Sequence, residues 1–479
     1  MSELVGKTFL GSTFVQDTKS DYIKIDGVIM GETSGFGYKT VNSDDIGALL
    51  DDCLNDSKAA VILYNWEGKV GYIKSGFDLY NSQDSKQKDG FTTFIVKSRI
   101  TDKNKQFFGE IPKPVPKPMP KPPPGSIRVN ECVRLGEKDS TVFELNGMPF
   151  VPVGWNAFFM GLMQETMNYP TKSQITEIFE AARRCKATVI RAHTLGFSSQ
   201  ADKALLDGNN NFRQAALDII DFAFTEAKRC SVKLILPLTD CYEYYHGSYR
   251  VFCDPFGVPK EQFFTHEIPR REFKKYITNY LNHANKYSGV AIKDAVEVAF
   301  LELGNELGNI RPDAKSTTIP TEDWIRDITK HIKSIDKKHL VLNGSDECLG
   351  SKTSNDFAIS ELDCYQSHFY WKDWTRLNND AKRSANVKRP YIIGEFDSKW
   401  ENDWYNAIEK ISNVRGSLSW SIYPHENGKP DGKRMPHNDG FTFWYDKQSD
   451  DNLKKITLMT NHFRRMQGLP EISSSSLKF

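Results

Sequence analysis

Cysteine is scarce in this chain, and none of it is paired at metal-binding spacing. The 479 residues hold eight cysteines, Cys53, Cys132, Cys185, Cys230, Cys241, Cys253, Cys348 and Cys364, with no CxxC among them. That pattern excludes zinc ribbons and thioredoxin-type chemistry. Most are expected to be reduced core thiols, and Cys241 with Cys253 is the pair that an oxidising compartment would bridge. A charge excess of either sign is lacking too. With 63 Lys and Arg against 62 Asp and Glu the net charge is +1, which supplies no field for nucleic acid. No apolar run approaches the ~20 residues that cross a bilayer, so no membrane partner is expected. The opening MSELVGKTFLGSTFVQDTKSD has no apolar core of a secretory leader, and the compartment stays unassigned. No zinc-finger, P-loop or other cofactor motif is present, so neither metal nor cofactor is expected. What the chain does have is 39% apolar and 12% aromatic residues, enough for a sizeable core at a length that suggests about two or three domains.

Residues 111–125 read IPKPVPKPMPKPPPG. Proline alternating with lysine or an apolar residue fixes φ and removes backbone donors, giving a polyproline II rod that joins neither helix nor sheet. It divides the chain into a module over residues 1–110, a linker over 111–125 and a larger region over 126–479. Short strand-like runs at 59–64 and 91–96, separated by Gly and Asp/Ser turns, make the module a small β-rich domain. Its aromatics, Tyr64, Trp66, Tyr72, Phe77 and Tyr80, supply either a core or a sugar-stacking face.

The larger region alternates apolar runs with helical patterns. Residues 296–309, VEVAFLELGNELGN, end an apolar run in Asn305 and Glu306, and 391–393 lead through Gly394 to Glu395. Two strand-end glutamates point to paired-carboxylate chemistry. Further runs behave alike: 150–154 opens into Trp155, Asn156, Phe158 and Phe159; 187–193 ends in Arg191 and His193; 232–238 leads to Thr239, Asp240 and Tyr242; 339–343 ends in GSDE; 362–370 carries His368 and Tyr370; 416–420 ends in Trp420. Between them, Ile175, Ile178, Phe179 and Ala182 recur at helical spacing behind a Thr171–Gln174 capping box, followed by Ala216, Ile219, Ile220, Ala223 and Ala227, and later by Trp404, Ile408 and Ile411. Strands alternating with helices, with chemistry gathered at strand C-termini, predict an α/β fold: a (β/α)8 TIM barrel preceded by the small β-rich domain. A doubly wound open sheet is the rival, but no glycine-rich phosphate loop follows the first strand.

Over about residues 140–470 the chain resembles the retaining glycoside hydrolases of family 5, on their endo-β-1,4-mannanase side. The resemblance rests on GWNAFFM at 154, VIRAHTLGFSS at 189, LDIIDFAFTEAKRCSVKLILPL at 217, LELGNEL at 301, SHFYW at 367, IIGEF at 392 and SWSIYPH at 419. It implies Glu306 as acid/base and Glu395 as nucleophile, Arg191 holding the nucleophile and Asn305 on the sugar's 2-hydroxyl. It further implies His368 and Tyr370 at the catalytic centre and Trp420 flooring the subsite where the bond breaks. Two departures stand out: the third strand exits as TDCYEYYHGS rather than an Asn-rich segment, which opens the sugar preference, and Leu301 replaces a common Trp. In the first module, CLNDSKAAVILYNWEGKVGYIKSGFDL with GFTTFIVKS resembles PAN/apple-like modules, which bind protein or carbohydrate; those carry several disulfides, and only Cys53 is here.

The resemblance implies a monomeric, endo-acting retaining β-glycosidase for mannan or glucomannan. The alternatives are a β-1,4-glucanase or a non-catalytic carbohydrate-binding protein on the same scaffold. The first module would bind polysaccharide or a wall or virion protein, which fits an enzyme released by a virus or by lysis. In such a mechanism a guanidinium lowers the pKa of its carboxylate neighbour, so Arg191 is expected to keep Glu395 ionised, and that charge to keep Glu306 protonated. Trp155, Asn156, His193, Asp240, Tyr242 and His437 are further candidates for substrate contact. His437 belongs to the segment MPHNDGFTFWY, which with Asp439 is expected to fold back over the cleft.

Overall fold

The computed structural model describes residues 131–308, 319–345, 356–399 and 402–479 and, before residue 131, the backbone of a set of strands. The chain divides into two compact units, Met1–Val115 and Pro116–Phe479. In the first, an antiparallel sheet runs in the order Thr8–Phe9, Ser12–Val15, Tyr22–Met30, Ser85–Val96, Val61–Asn65, Val70–Lys74, Gly37–Asn42. The aromatics of this unit, expected as a core or a sugar-stacking face, the linker over 111–125, Cys53 and Cys348 lie outside the residues whose side chains are described.

The second unit is built on an eight-stranded parallel sheet. Its strands are β1 (Val153–Asn156), β2 (Val189–Arg191), β3 (Lys233–Pro237), β4 (Val298–Glu302), β5 (Leu340–Leu342), β6 (Tyr365–Phe369), β7 (Tyr391–Asp397) and β8 (Val414–Trp420). The order β5-β4-β3-β2-β1-β8-β7-β6 closes on itself through a parallel bridge between Leu342 and Cys364. Side chains reinforce the closure: Gln366 N donates to Asn343 Oδ1 at 2.7 Å, and Asn343 Nδ2 donates to the Gln366 carbonyl at 3.1 Å. Helices α1 (Lys172–Cys185), α2 (Gln214–Cys230), α3 (Glu267–Leu281), α4 (Glu322–Ile335), α5 (Trp374–Asn386), α6 (Asn402–Lys410) and α7 (Asp450–Met466) form the outer layer. The β5–β6 connection carries a 3-10 turn, Asp356–Ala358, among its described residues. This is a (β/α)8 barrel.

Local chemistry sets the element ends. Thr171 and Gln174 make the reciprocal capping box that starts α1, and Lys186 ends it in the left-handed region at φ 63°. Thr321 and Ser449 cap α4 and α7 more simply, their side-chain oxygens accepting from the amides of Trp324 and Asn452. Strand alternation then splits the core into two. Val189, Ile235, Phe300, Leu342, Ile392 and Leu418 fill the barrel interior, and Phe143, from a small antiparallel sheet over Arg134–Leu135, Phe143–Leu145 and Met148–Phe150, meets Phe300 edge-on at 5.1 Å. The residues between them in sequence, such as Ile190, Leu234, Leu236, Leu301 and Ile393, face the helices. The lumen is therefore packed with apolar side chains below its C-terminal mouth, where the polar strand ends converge.

Candidate active site

Arg191, the last residue of β2, sits fully buried on the barrel axis with every arm of its guanidinium in use. Nε and Nη2 donate to the two oxygens of Glu302 at 2.6 and 2.7 Å, Nη1 donates to Glu395 Oε1 at 2.6 Å and Asn156 Oδ1 at 3.0 Å, and Nη2 also reaches Asn305 Oδ1 at 2.8 Å. Only arginine offers this planar fork. Tyr370 donates its hydroxyl to the other oxygen of Glu395. His368 Nδ1 lies 2.7 Å from Glu306 Oε1 and 3.5 Å from Glu395 Oε2. Ligand-type atoms of Glu306, His368 and Glu395 all fall within 4.8 Å of one another. The same trio has the donor set of a cation site, but both oxygens of Glu395 are already occupied by Arg191 and Tyr370.

A bulge places Glu395. In the β6–β7 register Ser367 pairs with Ile393 and His368 with Glu395, so Gly394 is skipped. Ile392 faces the interior and Ile393 the helices; with regular alternation Glu395 would follow Ile393 outwards, and the extra residue turns it back to the axis. Glycine is required there, since a Cβ on Gly394 would lie 1.8 Å from Gln366 Oε1. Glu306 sits just beyond β4 with φ 49°, a left-handed conformation that costs a non-glycine residue about 1–3 kcal/mol.

Electrostatics depart from expectation at Glu395. Burial raises its carboxyl to about 8; Arg191 opposes that rise and the charge of Glu306 adds to it. Arg191 falls short because it is shared: Glu302, wholly buried, takes two of its arms. Burial likewise raises Glu302, against the pull of Arg191. The donors nevertheless favour the charged form of Glu395, because a proton on its carboxylate would displace either Arg191 or Tyr370.

The other expected residues fall into three groups. Trp155 is corrected outright: alternation along β1 turns it away from the lumen, where it packs at 5.8 Å from Phe443 and 5.7 Å from Phe463 of α7. Asn156 faces inward but is consumed as a brace, its Nδ2 donating to the Gly394 carbonyl at 3.0 Å and the Ser419 carbonyl at 3.3 Å while its Oδ1 serves Arg191. His437 also has structural partners, with Nδ1 2.5 Å from Glu165 Oε1 and Nε2 3.4 Å from Asp439 Oδ2. Asp439 in turn accepts from Trp420 Nε1 at 2.7 Å, and Phe158 stacks on the Trp420 ring at 5.1 Å. Against burial, which lowers it, the two carboxylates lift His437 to about 9.

His193 stands 3.7 Å from Glu395 Oε1, and burial together with the Arg191 charge keeps it neutral. Asp240 is held by the Tyr242 amide at 2.7 Å and lies 3.7 Å from His246 Nε2; burial pushes its carboxyl well above the usual range. Tyr242 stacks on Tyr244, which is 62% exposed, so the unusual exit of β3 presents an aromatic surface. Cys241 and Cys253 are unbridged. Glu302, Gln366, Glu165 and His246 were not anticipated. Counting inward from Phe300 by twos would have found Glu302, a carboxylate in a strand otherwise buried and apolar.

Known proteins resemble the chain in sequence and in fold. Residues 245–396 match the model of glycoside hydrolase family 5, β-mannosidase-like. The chain is 30% identical over 304 residues to mannan endo-1,4-β-mannosidase 7 of Arabidopsis thaliana, covering 56% of this chain and 69% of that protein. It is 25% identical over 340 residues to mannan endo-1,4-β-mannosidase 1 of Solanum lycopersicum, covering 61% and 84%. The structure of an endo-1,4-β-mannanase from Rhizomucor miehei superposes with a TM-score of 0.57 at 21% identity, covering 68% of this chain and 98% of that one.

Proposed function

Since the chain belongs to glycoside hydrolase family 5, in its β-mannosidase-like branch, we propose that it cleaves β-1,4-linked mannan or glucomannan internally, by double displacement with retention. The observation that carries this is the close approach of Glu306 and Glu395, with Arg191 and Tyr370 both on Glu395. Retaining enzymes need carboxyl groups about 5 Å apart, because the second attacks the sugar directly with no water between. The relatives that span most of their length on this chain are mannan endo-1,4-β-mannosidases, which supports the sugar and the internal cleavage.

In the first step the Glu395 carboxylate attacks the anomeric carbon while Glu306 gives its proton to the leaving glycosidic oxygen. Ester formation removes the charge on Glu395. Glu306, now a carboxylate, takes a proton from water, and the hydroxide so formed displaces Glu395 at the anomeric carbon. Asn305, steadied by Arg191 through its Oδ1, offers its amide N–H to the 2-hydroxyl. The half-buried Trp420 stacks on the CH face of the sugar. His193, Asp240 and Tyr242 line the approach. We assign the first unit a tethering role, toward polysaccharide or a wall protein, in a monomer acting where wall polymer is met.

The test is digestion of mannan, glucomannan and carboxymethylcellulose with product sizing, plus NMR of the first product. Oligosaccharides from mannan whose reducing ends appear first as the β-anomer are expected. First appearance of the α-anomer, or hydrolysis of the cellulose derivative alone, would overturn the mechanism or the sugar respectively.

A further inference from the structure

At the opposite end of the barrel from the carboxylate pair, the structure groups a sulfur, an imidazole and a carboxylate. Asp336 closes the turn between α4 and β5, its Oδ1 accepting from the amides of Lys338 at 2.8 Å and His339 at 3.0 Å. Its Oδ2 lies 2.6 Å from His339 Nδ1. His339 Nε2 lies 2.9 Å from the Ala295 carbonyl oxygen and 3.6 Å from Cys132 Sγ. A carboxylate and a carbonyl only accept, so both ring nitrogens carry protons and the ring is an imidazolium. In agreement, Asp336 and the Cys132 sulfur lift His339 to about 9 against burial, which lowers it.

Three features separate this sulfur from an ordinary core thiol. The side chains of Asp336 and His339 have no exposed surface, whereas Cys132 is partly open to solvent. The other described cysteines, Cys185, Cys230, Cys241, Cys253 and Cys364, are buried, and burial raises Cys185 and Cys253 to about 12. Cys132 also interacts with two further cations, Lys233, whose Nζ donates to the Val296 carbonyl at 2.5 Å, and Lys338, paired with Asp294 at 2.7 Å. The carboxylates around the group are Asp336, Asp294 and Glu297, and each has a cationic neighbour in His339, Lys338 and Lys228 respectively.

We propose that Cys132, with His339 and Asp336 behind it, is a disulfide-exchange site at the closed end of the barrel. The thiolate is the attacking species in disulfide exchange, and the imidazolium of His339 stands 3.6 Å from the Cys132 sulfur that would carry its charge. The thiolate bonds to one sulfur of an incoming disulfide, the S–S bond breaks, and the other sulfur leaves as a thiolate that takes a proton from water. No net oxidant is needed, since the disulfide is the co-reactant. The co-reactant is a low-molecular-weight disulfide, since Cys132 is only partly open to solvent. The site needs nothing from the carboxylate pair and stands independently of the hydrolytic reading.

The experiment treats the full folded chain at pH 7 with dithiobis-nitrobenzoate and, separately, with oxidised glutathione, and maps each adduct by peptide mass. The first thiol to react is expected to be Cys132. Cys132→Ser should remove that phase without changing the melting temperature. His339→Gln and Asp336→Asn should keep the thiol but slow its reaction at least tenfold; the second variant retains the imidazole, so it reads the ion pair even if the first fails to fold. A first adduct on any other cysteine, Cys53 and Cys348 included, would overturn the proposal. So would a foldable variant of the pair that reacts at the native rate.

Discussion

At the residue scale, one guanidinium serves two carboxylates, and their competition sets the acid chemistry. Glu395→Gln keeps the shape of the site and removes the nucleophile, so turnover should fall by about four orders of magnitude or more while polymer still binds. Substantial residual turnover would remove Glu395 from that role. Glu306→Ala should lose most on substrates with poor leaving groups and recover partly with azide; a loss independent of the leaving group would count against Glu306 as the acid. Glu302→Gln separates the two partners of Arg191. With the Glu302 charge gone, the guanidinium acts on Glu395 more fully and lowers its carboxyl, so the acidic limb of kcat/KM should move to lower pH by about one unit. A limb that stays in place would mean the guanidinium is not shared in the way its hydrogen bonds suggest.

At the scale of elements, the site depends on a bulge in β7 and a pinned segment after β8. Gly394→Ala would drive a Cβ into Gln366, whose Nε2 donates to Glu302 at 2.8 Å. Overpacking of that kind costs about 1–3 kcal/mol, and here it also tilts the carboxylate that holds Arg191. Chemical denaturation and kcat should both register it, and a variant with native values of each would show the bulge has room to spare. Residues 424–446 are held by two imidazoles, each between two carboxylates: His437 between Glu165 and Asp439, and His425 between Glu177 and Asp446. Against burial, which lowers both, these partners raise each histidine to about 9. A raised histidine contributes stability that is complete below its unfolded value near 6.5 and is lost as pH rises through the folded one. The melting temperature should therefore decline from neutral pH through about 9. His437→Gln should flatten part of that decline and raise KM severalfold, because Asp439 would lose a partner that steadies it against Trp420. A variant melting curve with the native pH dependence would exclude His437 as the source.

At the scale of the molecule, the chain divides into two compact units with the split inside the proline-rich segment. The barrel carries its own core, so a fragment beginning near Pro116 should fold alone and keep its rate on soluble oligosaccharides. Removing the first unit should lower activity on insoluble polymer only, because a tether raises local substrate concentration without altering the chemistry. Equal losses on soluble and insoluble substrate would instead make the two units one functional body.

Much of the site was legible because parallel strands in a barrel are apolar until they end, and the polar residues that follow must then gather at one mouth. Arg191, Asn305, Glu306, His368, Tyr370 and Glu395 were all readable in that way, and the structure brings them together. Alternation within a strand is equally readable, and along β1 it turns Trp155 outward onto Phe443 and Phe463 and Asn156 inward, where the Gly394 and Ser419 carbonyls and Arg191 engage the amide that was expected on substrate. What remained hidden depends on contacts between strands far apart in sequence. The bulge that turns Glu395 inward exists only in the pairing of β6 with β7. The sharing of Arg191 with Glu302 exists only once β2, β4 and β7 surround one guanidinium, and the meeting of Cys132 with His339 requires the closed end of the barrel. Sequence alone determined which elements form and which residues stand at their ends, since propensity and periodicity act locally. Tertiary structure decided which charges face one another without water, and therefore how far burial raises Glu302 and Glu395 against the pull of Arg191.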